Sequence, residues 1–435
     1  MNAVNNGPLP ITEEMTWSNF SDYKKACFPY ARTHDASFCA RYGGEHSVDT
    51  AFIFRDFDAD ADDPASYDFQ LTDEYLNAMI SAGTEPFFRL GSKIEHWSKK
   101  YNTVPPKDYF KWARVCEHII AHYTEGWASG FTHKITYWEI WNEADGRQDE
   151  EPPEKKECWG GTRVQFYEFF AIVAKHLKKR FPHLKIGGPA VCSVDMMKGA
   201  FHVVKPWVDD FLKYMRDNDV PLDFFSWHGY TNRANNYVIP AIVARKALDK
   251  YGFCSTESIL NEWNYLIDWF DDDFLNTILG ITGIKGAAFA AAVMTNGQNT
   301  PVDMLMYYDA RPSIFNGLFD YYTQKPLKTY HVFSAFAEMR RLGTQVFSTS
   351  KEKGVYVLAA KGEDKKVFMI SYYPSPVVKK PKEKKIKLFC DGKKCELKLL
   401  DEKNDFSSQG EKSFKNGRLT LSVAPYSVIF AEIKE

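Results

Sequence analysis

The chain has 435 residues, a formal net charge of −2 at pH 7, 44% hydrophobic and 16% aromatic residues. Such a balance gives no electrostatic ground for nucleic acid or an anionic membrane as partner. No apolar run approaches the roughly 20 residues of a membrane span. The length suits a barrel of about 250–350 residues followed by a smaller domain.

Eight cysteines, Cys27, Cys39, Cys116, Cys158, Cys192, Cys254, Cys390 and Cys395, form no CxxC pair. Cys390 and Cys395 flank a hairpin-like Asp391-Gly392-Lys393-Lys394; a cross-hairpin disulfide would fit there, and free thiols are the expectation. No ligand cluster accompanies them, so no metal or other cofactor is expected. The start, Met1 to Pro8, lacks a basic or apolar leader, which predicts a cytoplasmic protein, with a secreted protein whose leader was removed as the alternative. Oligomeric state is left open.

In chain order, Ala3-Val4-Asn5 is placed as a first strand because the fold below needs one. A helix over 16–27 and a strand over 28–34 follow, with Arg32 and His34 on one strand face. If that face is inward, Arg32 pairs with Glu139. His34 is either a core histidine or a sugar contact at the rim. The acidic stretch 56–68 lacks the glycine and terminal glutamate of a calcium loop and reads as solvated. A helix over 71–82 ends at Gly83, and a strand covers 86–91. The next loop holds Glu95, His96 and Trp97, which could line a cleft. A helix over 107–123 leads to the fourth strand, 135–143, ending Trp138-Glu139-Ile140-Trp141-Asn142-Glu143.

A charged loop then reaches Trp159, which is either a leaving-group platform or packing. Helices over 163–180, 206–218 and 239–251 alternate with strands over 184–189 and 223–227, the latter running into His228-Gly229-Tyr230. The seventh strand runs through Ser258 to Glu262, between Asn261 and Trp263. A helix over 272–296, an eighth strand over 302–309 and a helix over 325–342 complete eight β/α units. The pattern predicts an α/β fold: a (β/α)8 TIM barrel over 1–342. From Gly343 on, short strands over 355–360, 366–372, 386–389, 395–400, 419–423 and 427–433 predict a C-terminal antiparallel β-sandwich domain, 343–435. The basic run 379–385 reads as a solvated hairpin loop.

Glu143 and Glu262 end the fourth and seventh strands, on opposite sides of the barrel's C-terminal face, where barrel enzymes carry their chemistry. Glycosidic bonds are cleaved by two carboxyl groups, one protonating the leaving oxygen and one acting as base or nucleophile. Trp138, Trp141 and Trp263 offer aromatic faces for sugar rings. Apolar walls raise a carboxyl pKa, which suits Glu143 to a general acid. Asn142 is placed to bind the sugar's 2-hydroxyl. An oligosaccharide or other glycoside is therefore the expected partner.

Trp138 to Glu143 resembles the acid/base strand of clan A glycoside hydrolases, most closely glycoside hydrolase family 39, the β-xylosidase and α-L-iduronidase family. Arg32-Thr33-His34-Asp35, Pro105 to Tyr109, Ile186 to Ala190 and Val220 to His228 resemble that family in the same order. The resemblance implies a retaining mechanism, with Glu143 as acid/base, Glu262 as nucleophile and a β-xyloside as substrate. Galactosides, glucosides, arabinosides or uronides are the alternatives, with a non-catalytic sugar-binding protein as the rival. A uronide would need cations facing its carboxylate, for which Arg89, Lys93 and Arg233 are available. The resemblance also places His228 and Tyr230 beside the nucleophile and His34 against the sugar. Relatives end the eighth strand with Trp; here Tyr307 and Tyr308 stand instead, and Tyr308 becomes the candidate floor of the site.

Overall fold

The computed structural model describes residues 1–12, 17–36, 44–94, 100, 102–146 and 156–434. Glu95, His96, Trp97 and Cys39 lie outside them. Eight parallel strands close into a barrel in sequence order: β1 (Asn2–Asn5), β2 (Tyr30–Arg32), β3 (Glu85–Leu90), β4 (Tyr137–Ile140), β5 (Lys185–Val191), β6 (Phe224–Tyr230), β7 (Glu257–Asn264) and β8 (Met304–Tyr307). Besides a single turn at Thr50–Ile53, the helices described are α1 (Phe20–Ala26), α2 (Gln70–Ser81), α3 (Tyr109–Thr124), α4 (Arg163–Arg180), α5 (Pro206–Asp217), α6 (Val238–Lys250), α7 (Asp271–Thr282), α8 (Ile284–Gly297) and α9 (Lys328–Leu342). The expected TIM barrel is present.

Local chemistry starts the helices where the chain needs them. Asp108 caps α3 by accepting from the backbone N–H of Phe110 and Lys111. Thr162 and Gln165 form a reciprocal capping box on α4. The single helix expected over 272–296 is instead two, α7 and α8, bent by 75°. Gly283 between them is extended (φ −102°, ψ −173°), which interrupts the helical ladder. No single helix among the described residues is long and apolar enough to cross a membrane.

Strand alternation divides the core in two. Ala3, Phe87, Tyr137, Phe224, Ile259, Met304 and Met306 plug the barrel interior. Their neighbours Val4, Phe88, Trp138, Ile140, Phe225, Leu260 and Leu305 point outward and pack in the helix layer. The polar residues of the active site lie above the plug.

After the barrel come β9 (Thr344–Val346), β10 (Val355–Lys361), β11 (Lys365–Tyr372), β12 (Lys384–Phe389), β13 (Lys394–Leu400), β14 (Asp405–Ser413), β15 (Arg418–Val423) and β16 (Ser427–Lys434). They form an antiparallel six-stranded sheet, β9-β10-β11-β16-β13-β14, and a β12–β15 pair. Ile370, Ile429, Ile386 and Leu421 belong to the core between these sheets. The other face of the large sheet joins the barrel core through Leu358, Met369 and Phe430. Ala287 to Ala292 of α8 are largely alanine and fully buried, and the Ser371 hydroxyl there donates to the Ala288 carbonyl (2.8 Å). The strands absent from the sequence reading, β9 and β14, are sheet edges with little buried surface, so they carry no apolar alternation. Also unanticipated is a hairpin after β5, Asp195–Lys198 paired with Phe201–Val204. Cys390 and Cys395 are free thiols, as are the other described cysteines.

Candidate active site

Glu143 lies beyond the strand that carries it. The expected strand 135–143 ends at Ile140, and the next residues enter the left-handed region, with φ +72° at Trp141 and +46° at Glu143. Such conformations cost about 1–3 kcal/mol each in non-glycine residues and persist where the surroundings impose them. Here the Trp141 N–H donates to the Leu90 carbonyl (2.7 Å), and its indole donates to the Cys158 carbonyl (2.9 Å). The Glu143 N–H donates to the Ala190 carbonyl (2.9 Å). Gly91 (φ +115°) makes room, since a Cβ there would lie 2.7 Å from the Trp141 ring.

Glu262 lies within β7, and a bulge decides what faces it. The pairing of β6 with β7 shifts register between Trp227 and His228, which sets His228 directly across from Glu262. His228 then reaches both carboxylates, with Nδ1 2.7 Å from Glu143 Oε1 and Nε2 3.5 Å from Glu262 Oε1. One carboxylate oxygen of each glutamate and one His228 nitrogen lie within 4.8 Å of one another. Two carboxylates and an imidazole are also a donor set that a divalent metal accepts.

Arg32 is the hub beneath the two glutamates. It is fully buried and donates through Nε to Glu139 Oε2 (2.6 Å), through Nη1 to Glu262 Oε1 (2.7 Å) and Asn5 Oδ1 (3.2 Å), and through Nη2 to Asn142 Oδ1 (2.7 Å). The expected Arg32–Glu139 pair is therefore present. Glu139 also accepts from the Ser226 hydroxyl and the Asn261 amide, each at 2.6 Å. Burial lowers the Arg32 pKa, but Glu139 and Glu262 outweigh it and the net shift is upward.

Glu262 further receives the Tyr230 hydroxyl on Oε2 (2.8 Å), and His34 Nε2 lies 3.2 Å from Oε1. Burial pushes its carboxyl upward; His228, His34 and Arg32 overcome this and hold it well below the usual carboxylate range. Burial and Glu262 push the Tyr230 phenol far up, so it stays a donor. The pKa of His34 is lowered by burial and raised by Asp35 and Glu262, with a net rise.

The other candidates sort clearly. His34 is buried with Glu262 and Asp35 as partners, rather than a core histidine on a backbone group. Tyr308 donates to Asp35 Oδ2 (2.6 Å) and sets its ring edge-on to His34 at 5.4 Å, so it does face the site. Tyr307 points the other way, against Trp263 and Phe333. Asn142 is buried with its Oδ1 fixed by Arg32, while its Nδ2 has no partner among the described residues.

The tryptophans are a correction. Trp159 is 0% exposed, packed between Trp141, Phe166 and Phe169, and cannot serve as a platform. Trp138 and Trp263 are buried as well, because their strand positions point them at the helices, and Trp141, past the strand end, is buried against Trp112 and Phe169. Apolar runs at strand ends read alike whether a ring faces cleft or helix.

Asn5, Ser226, Asn261, Asp35 and Arg311 were missed as parts of the site. Asp35 lies 3.0 Å from Arg311 Nη2, and Arg311 Nε lies 2.8 Å from Asp309. Burial raises the Asp35 pKa, but Arg311, His34 and Lys93 bring it well below its ordinary value. Asp35 and Asn261 adjoin His34 and Glu262 in sequence, which is a usable signal; Asn5 and Arg311 carry none. The cations proposed for a uronide are already engaged: Arg89 with Asp49 (2.6 Å), and Lys93 with Glu45 and Asp35. Arg233 is exposed in the loop after β6.

Comparison with known proteins agrees with this architecture. A β-xylosidase from Geobacillus stearothermophilus is 26% identical over 209 residues, covering 45% of this chain and 37% of that relative's length. The chain thus matches little more than a third of that curated relative. A glucosidase from Croceicoccus marinus superposes with a TM-score of 0.74 at 22% identity, covering 100% of this chain and 95% of that one. A β-xylosidase from Caulobacter crescentus does so with a TM-score of 0.68 at 15% identity, covering 99% and 96%. At these identities the two likenesses establish the fold. The model of glycosyl hydrolases family 39 matches residues 38–258, half of the chain, including Glu143 and ending just before Glu262. With that match laid over this barrel, the chain belongs to glycosyl hydrolases family 39.

Proposed function

We propose that the protein is a retaining glycosidase that removes a terminal β-xylosyl unit from a glycoside. The observation that carries the reading is the joint approach of Glu143, Glu262 and His228 within 4.8 Å, with Glu262 held ionised. Glu262 attacks the anomeric carbon while Glu143 gives its proton to the departing oxygen, leaving a glycosyl ester on Glu262. Glu143 then takes a proton from water, whose oxygen displaces Glu262 and restores both groups. Tyr230 and Arg32 keep the Glu262 carboxylate aimed throughout. Asn142 Nδ2, without a partner among the described residues, is available to the sugar's 2-hydroxyl, where hydrogen bonds strengthen in the transition state.

The xylosyl preference rests on the relatives named β-xylosidase. Pairing of Lys93, Arg89 and Arg311 with acids favours an uncharged glycone over a uronide. A panel of aryl β-glycosides tests the reading, with the first-formed sugar followed by NMR. Turnover of the β-xyloside to β-xylose is expected. Hydrolysis of only the β-glucoside would move the glycone, and α-xylose as first product would overturn retention.

Two carboxylates suffice for this chemistry, so activity is expected to survive exhaustive EDTA treatment within about twofold. A loss restored by zinc would instead make Glu143, His228 and Glu262 metal ligands.

A further inference from the structure

Beside the catalytic pair a cleft of about 460 Å³ opens from His228 and Tyr230 toward solvent. It is lined by Asp195 and His202 of the hairpin after β5 and by Trp269, beyond β7. None of its lining residues comes from β1, β2, β3 or β8, the strands that bring Arg32, His34 and Tyr308 to the nucleophile. The cleft instead starts at His228, whose nearer carboxylate is the acid, Glu143 (2.7 Å, against 3.5 Å to Glu262), and at Tyr230, which donates to Glu262. The substituent of an oxygen protonated by Glu143 has room to extend past His228 into this cleft.

The walls have the chemistry of a sugar site. Trp269 is 46% exposed, yet its ring is fixed by Tyr230 at 5.2 Å and Phe315 at 5.3 Å. A fixed, open indole face binds the C–H face of a pyranose at little entropic cost. The lining also includes Thr231 and Asn236, which can exchange hydrogen bonds with hydroxyls. The charges, Asp195 and His202, meet at 2.5 Å and so offer no free charge to an ionic group. A volume of this size lies in the usual range of small-molecule sites, about 300–1,000 Å³.

We propose that this cleft is a leaving-group subsite that takes a second, uncharged pyranose ring stacked on Trp269. The inference rests on the glycosidase reading above and deepens it: the natural substrate is an oligosaccharide rather than a glycoside of a small alcohol. The Trp that serves the leaving group is thus Trp269, in place of the buried Trp159.

The test compares β-1,4-xylobiose, whose leaving group is a pyranose, with β-xylosyl fluoride, whose leaving group has no ring. In Trp269→Ala, kcat/KM for xylobiose is expected to fall at least tenfold more than kcat/KM for the fluoride. Trp269→Phe, which keeps an aromatic face, should recover part of that difference. Equal losses on both substrates would make Trp269 a mere support for Tyr230 and overturn the proposal. So would an unchanged ratio, or hydrolysis of the fluoride but not xylobiose by the wild type, which leaves the glycosidase reading standing. Turnover of neither by the wild type would overturn both.

Discussion

Replacing Glu262 by alanine is expected to lower kcat by about 10⁴–10⁶-fold, the scale seen when a covalent nucleophile is removed. The loss should be chemical rather than structural, and a small anion separates the two. Azide can occupy the space left by the carboxylate and attack the anomeric carbon from the same face. Glu262→Ala with azide should therefore release an α-xylosyl azide, inverted relative to the substrate. Glu143→Ala should behave differently, because its Glu262 still forms the glycosyl ester. Azide then attacks the ester and releases the β-azide. Identical azide products from the two variants would undo the assignment of roles.

The ionisation of Glu262 adds a pH dependence. Its folded-state pKa is depressed, so it contributes stability that is complete above its unfolded value, about 4.3, and that is lost as pH falls toward the lower folded value. The stability of Glu262→Gln should accordingly fall less between pH 5 and 2 than that of the wild type. By the same sign, the acid limb of kcat/KM in the wild type should not follow Glu262.

The second large effect concerns Arg32. Arg32→Met removes the cation shared by Glu139 and Glu262, leaving Glu139 buried with only the neutral donors Ser226 and Asn261. Breaking one partner out of a buried ion pair costs roughly 3–5 kcal/mol, more than an exposed pair contributes. Urea denaturation should show a loss of that order. Arg32→Lys should recover little, because one ammonium cannot reproduce the fork that reaches Glu139, Glu262 and Asn142 together. Arg32→Met combined with Glu139→Gln should be more stable than Arg32→Met alone, since the uncompensated carboxylate beneath is neutralised. A loss under about 1 kcal/mol in Arg32→Met would show that this network does not hold the barrel mouth.

Much of this protein is legible in the residues alone. The order of strands and helices after the first strand is written in apolar runs and helical spacing, while Ala3-Val4-Asn5 is too short to show a period and is placed by the fold's need for an eighth strand. Asn142-Glu143 and Asn261-Glu262 stand out because carboxylates at the ends of buried strands have few purposes other than chemistry. Arg32 opposite Glu139 follows from the two-residue period of strands. The free thiols follow from the absence of paired spacing.

Other features depend on contacts between distant segments. The left-handed turns at Trp141 and Glu143 are imposed by Leu90 and Ala190, 51 and 47 residues away in sequence. The bulge that brings His228 opposite Glu262 is a matter of register between two strands, which neither strand states by itself. Gly283 breaks a helix only because α7 and α8 take different directions in the fold, as an isolated glycine is otherwise tolerated. Above all, the sequence by itself determined which residues bear the charge, the carboxyl groups and the aromatic rings. The tertiary structure decided which way they face: it buried Trp159 and left Trp269 open, because side-chain exposure depends on what the rest of the chain packs against each face.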